Sequence, residues 1–185
     1  MRTVIYSMSV SLDGFIAGPG GDIGFTAPDR ERMEFHVQQT REIGTELMGR
    51  GLYEVMLVWE DAETTMSGAL ELEFARIWKP IPKVVFSTTL KQVQGNARLA
   101  SDDVADEVAR LKDAPGEGVV SVGGAGLAAT LIKRDLIDEY RLFVIPVVVG
   151  AGTPYFPPLD AAIELELLET RTFGSRVVYL RYRRG

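Results

Sequence analysis

The stretch Gly118-Val119-Val120-Ser121-Val122-Gly123-Gly124-Ala125-Gly126-Leu127-Ala128-Ala129 decides how this chain is read. Val119 to Val122 form a short run rich in β-formers, and an apolar helical run continues beyond the glycines to about Asp135. The junction over Gly124 to Ala129 has the form G-x-G-x-x-G/A, a spacing with which a strand feeds a helix at an anion site. Glycine lets the backbone approach a phosphate, and the first helical amides, which lack an intrahelical acceptor, point at it. The same glycines also allow a helix and a strand simply to pack closely. Both readings stand at this level.

Strand and helix signals alternate on either side of this unit, which predicts an α/β layered domain. Residues 2–10 read as a first strand, followed by the turn-prone Asp13-Gly14 and the glycine-rich Gly18-Pro19-Gly20-Gly21-Asp22, expected to be mobile. Asp29 is placed to cap a helix with Met33, Val37 and Thr40 on one face. Thr45 to Met48 is a short strand that meets Gly49-Arg50-Gly51, with a helix starting near Leu52. A further helix presents Leu70, Phe74 and Ile77 and stops before Pro80 and Pro82. Lys83 to Phe86 restarts a strand that ends in Ser87-Thr88-Thr89, and Ser101-Asp102-Asp103 caps a helix carrying Val104, Val108 and Leu111.

Beyond the glycine unit, Tyr140 to Val149 reads as one long apolar strand, in which Pro146 implies an edge position or a bulge. Ile163 to Phe173 and Arg176 to Arg183, joined at Gly174-Ser175, close the chain as an antiparallel hairpin. The expected architecture is a three-layer α/β sandwich, with a mixed, mostly parallel central sheet and a C-terminal antiparallel hairpin. One domain spanning residues 1–185 fits that length. A Rossmann domain is disfavoured, because it puts the glycine unit at its first strand and an acid about 20 residues further on. Here the corresponding region, Phe143 to Val149, has no acid, and too little chain follows.

Composition narrows the function. A formal charge of -6 and a pI near 4.9 argue against a nucleic-acid binder, which needs a concentrated cationic face. Any anion must be held locally by backbone amides and a few side chains. No apolar run approaches the roughly 20 residues of a membrane span, and Met1 to Tyr6 passes into polar sequence without the apolar core of an export signal. With no Cys there is no disulfide framework, thiolate nucleophile or Cys-ligated zinc, so no metal site is expected and a reducing cytoplasm is the compatible compartment.

In order, the segments Ser9-Val10-Ser11-Leu12-Asp13-Gly14-Phe15-Ile16-Ala17, Met48-Gly49-Arg50-Gly51-Leu52-Tyr53-Glu54, Val85-Phe86-Ser87-Thr88-Thr89-Leu90 and Gly123-Gly124-Ala125-Gly126-Leu127 are followed by Leu136-Ile137-Asp138-Glu139-Tyr140-Arg141-Leu142 and Pro146-Val147-Val148-Val149-Gly150-Ala151-Gly152. This series resembles the dihydrofolate-reductase-like superfamily, in the branch of bacterial riboflavin-biosynthesis reductase domains and their single-domain relatives. The resemblance implies NADPH lying across the carboxyl ends of the sheet strands and reducing a small heterocycle. The substrate it implies is 5-amino-6-(5-phosphoribosylamino)uracil. A pterin or dihydrofolate reductase, and a nucleotide-binding protein without turnover, are the alternatives.

The resemblance also implies roles for particular residues. Gly49 and Arg50 would meet the cofactor phosphates, and Ser87 and Thr88, with Lys91 as a helper, would meet the adenosine 2'-phosphate. Gly123, Gly124, Ala125 and Gly126 would cradle the pyrophosphate. Asp13 and Gly14, with the Gly18 to Gly21 run, would close over the nicotinamide. A homodimer through sheet edges and the last strands is the implied assembly. Each residue also has a plainer account: Arg50 as a solvated side chain, Ser87-Thr88-Thr89 as a strand end, Asp13-Gly14 as a turn.

The chain departs from folate reductases at the first helix, where none of Asp29, Glu31 and Glu34 aligns with their buried acid. No catalytic residue is therefore assigned. His36 reads first as a half-buried structural side chain and second as a proton donor. Trp59 and Trp78 read as packing residues, with Trp59 alternatively walling the substrate pocket. The zinc deaminase activity of bifunctional riboflavin enzymes is excluded by the missing Cys.

Overall fold

The computed structural model describes residues 1–185. Its first half contains β1 (Val4–Ser11), β2 (Phe15–Ala17), α1 (Arg30–Thr40), β3 (Ile43–Gly49), α2 (Arg50–Met56), α3 (Ala62–Thr65), α4 (Ala69–Trp78) and β4 (Lys83–Phe86). The second half contains β5 (Ala97–Leu99), α5 (Val104–Asp113), β6 (Val119–Gly123), α6 (Ala125–Lys133), β7 (Glu139–Ile145), β8 (Thr153–Pro154), β9 (Leu165–Thr172) and β10 (Val178–Arg184). Eight strands form one sheet in the order β5-β4-β3-β6-β1-β7-β10-β9. The pairings from β5 to β7 are parallel, and β10 and β9 join antiparallel. β2 and β8 make a separate two-stranded antiparallel pair.

Helices cover both faces, as a largely parallel sheet requires. On one face Val104 and Val108 of α5 and Ala128, Leu131 and Ile132 of α6 pack on Val4, Tyr6, Leu47, Val84, Val120 and Val122. On the other face Trp78 of α4 and Tyr53 of α2 pack on Met48 and Val85, while Phe35 of α1 meets Phe143 and Tyr179 edge-on or tilted. The result is the three-layer sandwich with a closing hairpin expected from the sequence.

Several local expectations are corrected. β7 lies between β1 and β10 rather than at an edge, and it ends at Ile145, opposite Ser11. Pro146 has no N–H to continue the ladder, so it terminates the strand instead of bulging it. α2 begins at Arg50, two residues before the expected start. At α5 the cap is Asp103, whose carboxylate accepts from Ala105 N at 2.9 Å, while the Ser101 hydroxyl turns to Asp102. The strand expected from Ile163 starts at Leu165. The helix after Asp29 forms as anticipated, with Asp29 accepting from Arg32 N at 3.0 Å and Met33, Val37 and Thr40 buried. The short β2, β5, β8 and α3 carried too few residues for a periodic signal.

Candidate active site

The carboxyl ends of β3 and β6 feed α2 and α6, and the starts of these two helices face one cleft of about 570 Å³. Gly49, Arg50 and Gly51 line it from α2, and Gly124, Ala125, Gly126 and Leu127 from α6. Glycines cap both helices, and neither has a side-chain cap hydrogen bond. Elsewhere Asp29 caps α1 and Asp103 caps α5, and at α4, which like the short α3 has no side-chain cap hydrogen bond, the Glu71 carboxylate lies beside Gly68. Free amides are thus left at the cleft, where an anion can take them. Gly124 sits at φ +92, a conformation that admits a side chain only under strain.

Arg50 separates this cleft from a second one of about 540 Å³, lined by Arg50, Ser87, Thr88, Thr89, Ser101 and Asp102 among others. Its Nε donates to Glu54 at 2.7 Å and its NH1 to Thr89 Oγ1 at 2.8 Å. Arg50, Ser87 and Thr88 therefore share one rim with the α6 glycines. The Ser87 hydroxyl accepts from Leu90 N at 3.0 Å and Thr89 N at 3.2 Å, shaping the turn after β4.

Other expected residues lie differently. Gly123 faces Leu52: a Cβ there would come within 2.0 Å of Leu52 Cδ2, so this glycine serves the close approach of α2 to β6. Asp13 and Gly14 are absent from the cleft lining. The Asp13 carboxylate accepts from Gly150 N at 2.7 Å and Val149 N at 3.1 Å, clamping the turn after β1 to the loop after β7. The Ser11 hydroxyl and these amides hold its pKa below the usual carboxylate value. Ile16, Ala17, Ile23, Thr26 and Thr153 line the cleft in their place. Trp59 packs at a tilt against Phe74 at 4.5 Å and lines a separate groove with Met33 and Leu70.

Beneath α1 and α4 lies a smaller chamber of about 230 Å³. Ser7, His36, Gln39, Thr40, Glu46, Ser121 and Arg141 supply its polar lining. Glu46 accepts from Trp78 Nε1 at 2.7 Å, and burial raises its carboxyl to about 7. Burial lowers His36 to about 4, helped by the Arg32 charge, so the imidazole is neutral at physiological pH and packs against Phe143 at 4.5 Å. Glu46 was missed in the sequence, because one acid in a strand reads as an outward position.

The pattern of the RibD C-terminal domain family matches residues 2–179. The chain belongs to that family. Membership in the RibD C-terminal domain family supports a reductase of the RibD type. The Bacillus subtilis protein YyaP is 34% identical over 187 residues, covering 98% of this chain and 94% of its own. A Shewanella sp. PV-4 protein assigned to riboflavin biosynthesis superposes with a TM-score of 0.78 at 23% identity, over 100% of this chain and 99% of its own. Dihydrofolate reductase from Enterococcus faecalis, solved with NADP(H), superposes at 0.64 and 16% identity over 99% and 96%. At those identities the likeness is one of fold, and it places this RibD-type chain on the dihydrofolate-reductase-like sandwich. No helix of the chain is long and apolar enough to cross a membrane.

Proposed function

We propose that this chain is an NADPH-dependent reductase of a small heterocyclic substrate or a sugar-linked pyrimidine. The observation that carries the reading is the convergence of two glycine-capped helix starts on one cleft, with Arg50 at the passage to the next. This donor set suits a dinucleotide: free amides of α6 for the pyrophosphate, and Arg50 with Thr88 for the 2'-phosphate. NADPH when bound supplies the hydride. Ile16, Ala17, Val55 and Leu127 wall the remaining space with apolar surface, which excludes water and holds a flat ring against the coenzyme face.

The substrate class follows from the RibD relationship, with 5-amino-6-(5-phosphoribosylamino)uracil as the first compound to test. Arg50 is the one charged side chain lining the larger cleft, so a sugar phosphate has no second cation there. The dephosphorylated ribosylaminouracil, pterins and quinones therefore belong in the same panel. Anaerobic mixing with NADPH, followed by loss of reduced-cofactor absorbance, reads the outcome. Oxidation dependent on one compound supports the reductase, while tight NADPH binding without oxidation by any compound identifies a nucleotide-binding protein.

A further inference from the structure

The sheet face beneath α1 and α4 is polar where a parallel sheet is ordinarily apolar. Register sets Glu46 beside Lys83 on one side and Ser121 on the other, and sets Ser7 beside Arg141. Adjacent strands lie about 4.8 Å apart, so Glu46 and Ser121 stand side by side, while Ser7 lies diagonally, two residues beyond Ile5, the partner of Ser121 on β1, a step that takes a short chain of waters. His36, Gln39 and Thr40 roof this floor, and the half-open space of 230 Å³ has room for several waters of about 30 Å³ each. Met8 and Leu52 line both this chamber and the larger cleft, so the two spaces abut.

Glu46 is the chamber's one acid, and no cation touches it. Lys83 is drawn away by the carbonyls of Trp78 at 2.8 Å, Ile81 at 2.9 Å and Lys79 at 3.2 Å. Its charge still favours the carboxylate, and Glu60 acts on Lys83 in turn. Arg141 is held by Glu139 at 2.5 Å and Glu42 at 3.2 Å. From α1 the facing titratable group is His36, neutral and itself under the influence of Arg32 and Asp29. A buried carboxylate without a contact cation is relieved by taking up a proton.

We propose that this chamber is the proton supply of the reductase, with Glu46 releasing a proton through water on the Ser121 and Ser7 hydroxyls toward the cleft. The inference rests on the reductase reading. The substrate's C=N or C=C bond accepts hydride at carbon, its π pair moves to the neighbouring atom, and that atom takes the proton. Glu46 is left as carboxylate and is reprotonated from solvent after product leaves.

The full chain is used for the test. In a Trp59→Phe background, Trp78 emission is followed against pH with and without Glu46→Gln. A transition near neutrality that vanishes in the Gln variant is expected, and its absence in the parent overturns the proposal. With the substrate found above, kcat should fall on the alkaline side with that midpoint. Glu46→Gln should lower kcat by roughly 10²-fold at unchanged KM and lose the limb, and Glu46→Asp should restore it at a moved midpoint. Ser121→Val should lower kcat yet keep the Trp78 transition, which separates relay from titration should the Gln variant fold poorly. Turnover with an unchanged pH profile in Glu46→Gln, or full activity in Ser121→Val, overturns the proton supply and leaves the reductase intact. No oxidation with any compound overturns both.

Discussion

Replacing Arg50 by alanine tests the cofactor assignment most directly. The guanidinium stands at the passage between the two clefts, tied to Glu54 and Thr89, and its side chain is 51% exposed. A hydrogen bond to a charged group contributes about 1.5–3 kcal/mol, and solvent screening at this exposure reduces it to about 1–1.5 kcal/mol. That corresponds to roughly a tenfold weaker Kd for NADPH. NADH lacks the 2'-phosphate, so its affinity should change by less than about threefold, roughly 0.6 kcal/mol. The lost Arg50–Glu54 pair is an exposed i,i+4 contact worth about 0.3–0.5 kcal/mol, so the Tm should barely move and folding is not confounded with binding. Anaerobic titrations of both coenzymes, followed by fluorescence or calorimetry, give the two constants. Glu54→Ala, which releases the guanidinium, should tighten NADPH, more at low salt than at high. Equal weakening of NADPH and NADH in Arg50→Ala would refute the assignment to the 2'-phosphate.

Gly124→Ala should lower the unfolding free energy by about 1–3 kcal/mol through backbone strain, measured by urea denaturation; a neutral effect would mean the turn relaxes and is not conformationally required. His36, lowered to about 4 from 6.5, leaves the unfolded chain with the extra proton between those values, so its contribution is full above 6.5 and is lost as pH falls toward 4. His36→Gln should therefore recover about 2 kcal/mol of relative stability near pH 5. Glu46 has the opposite sign: its raised pKa gives the folded chain the extra proton above 4.5, so stability falls as pH rises toward neutrality, and Glu46→Gln should flatten that fall. The implied homodimer, placed on the free edge of β9 where Leu167 and Leu168 are exposed, should scatter light at twice 20.3 kDa, and Leu168→Lys should yield monomer.

The long elements were legible because their signals are local. The Asp29 cap, the stripe of Met33, Val37 and Thr40, and the strand-glycine-helix unit at Val119 to Lys133 each need only neighbours in sequence to be read. The same holds for the glycines of the cleft, since an uncapped helix start after a strand is a local fact. Errors arose where tertiary context decides. Pro146 suggested an edge because proline is excluded from central ladders, yet a strand can stay central by ending one residue earlier. Asp13 shows in sequence only as a turn residue before a glycine, whereas its carboxylate accepts from the amides of Val149 and Gly150, far along the chain.

The polar chamber is the sharpest case of a feature that sequence order conceals. Ser7, Glu46, Ser121 and Arg141 each alternate with apolar neighbours, as on any half-solvated strand. Only the sheet order, with β6 inserted between β3 and β1, brings them together, and α1, α2 and α4 cover them in part. Burial of such groups opposes stability unless each finds a partner, and apolar residues of similar volume would serve a core better. Trp78 and the carbonyls around Lys83 satisfy part of this set, whereas the Ser7 and Ser121 hydroxyls make no hydrogen bond within the protein. Both serines are half-buried, so water in the pocket serves them, and this is the water that the proposed relay would use.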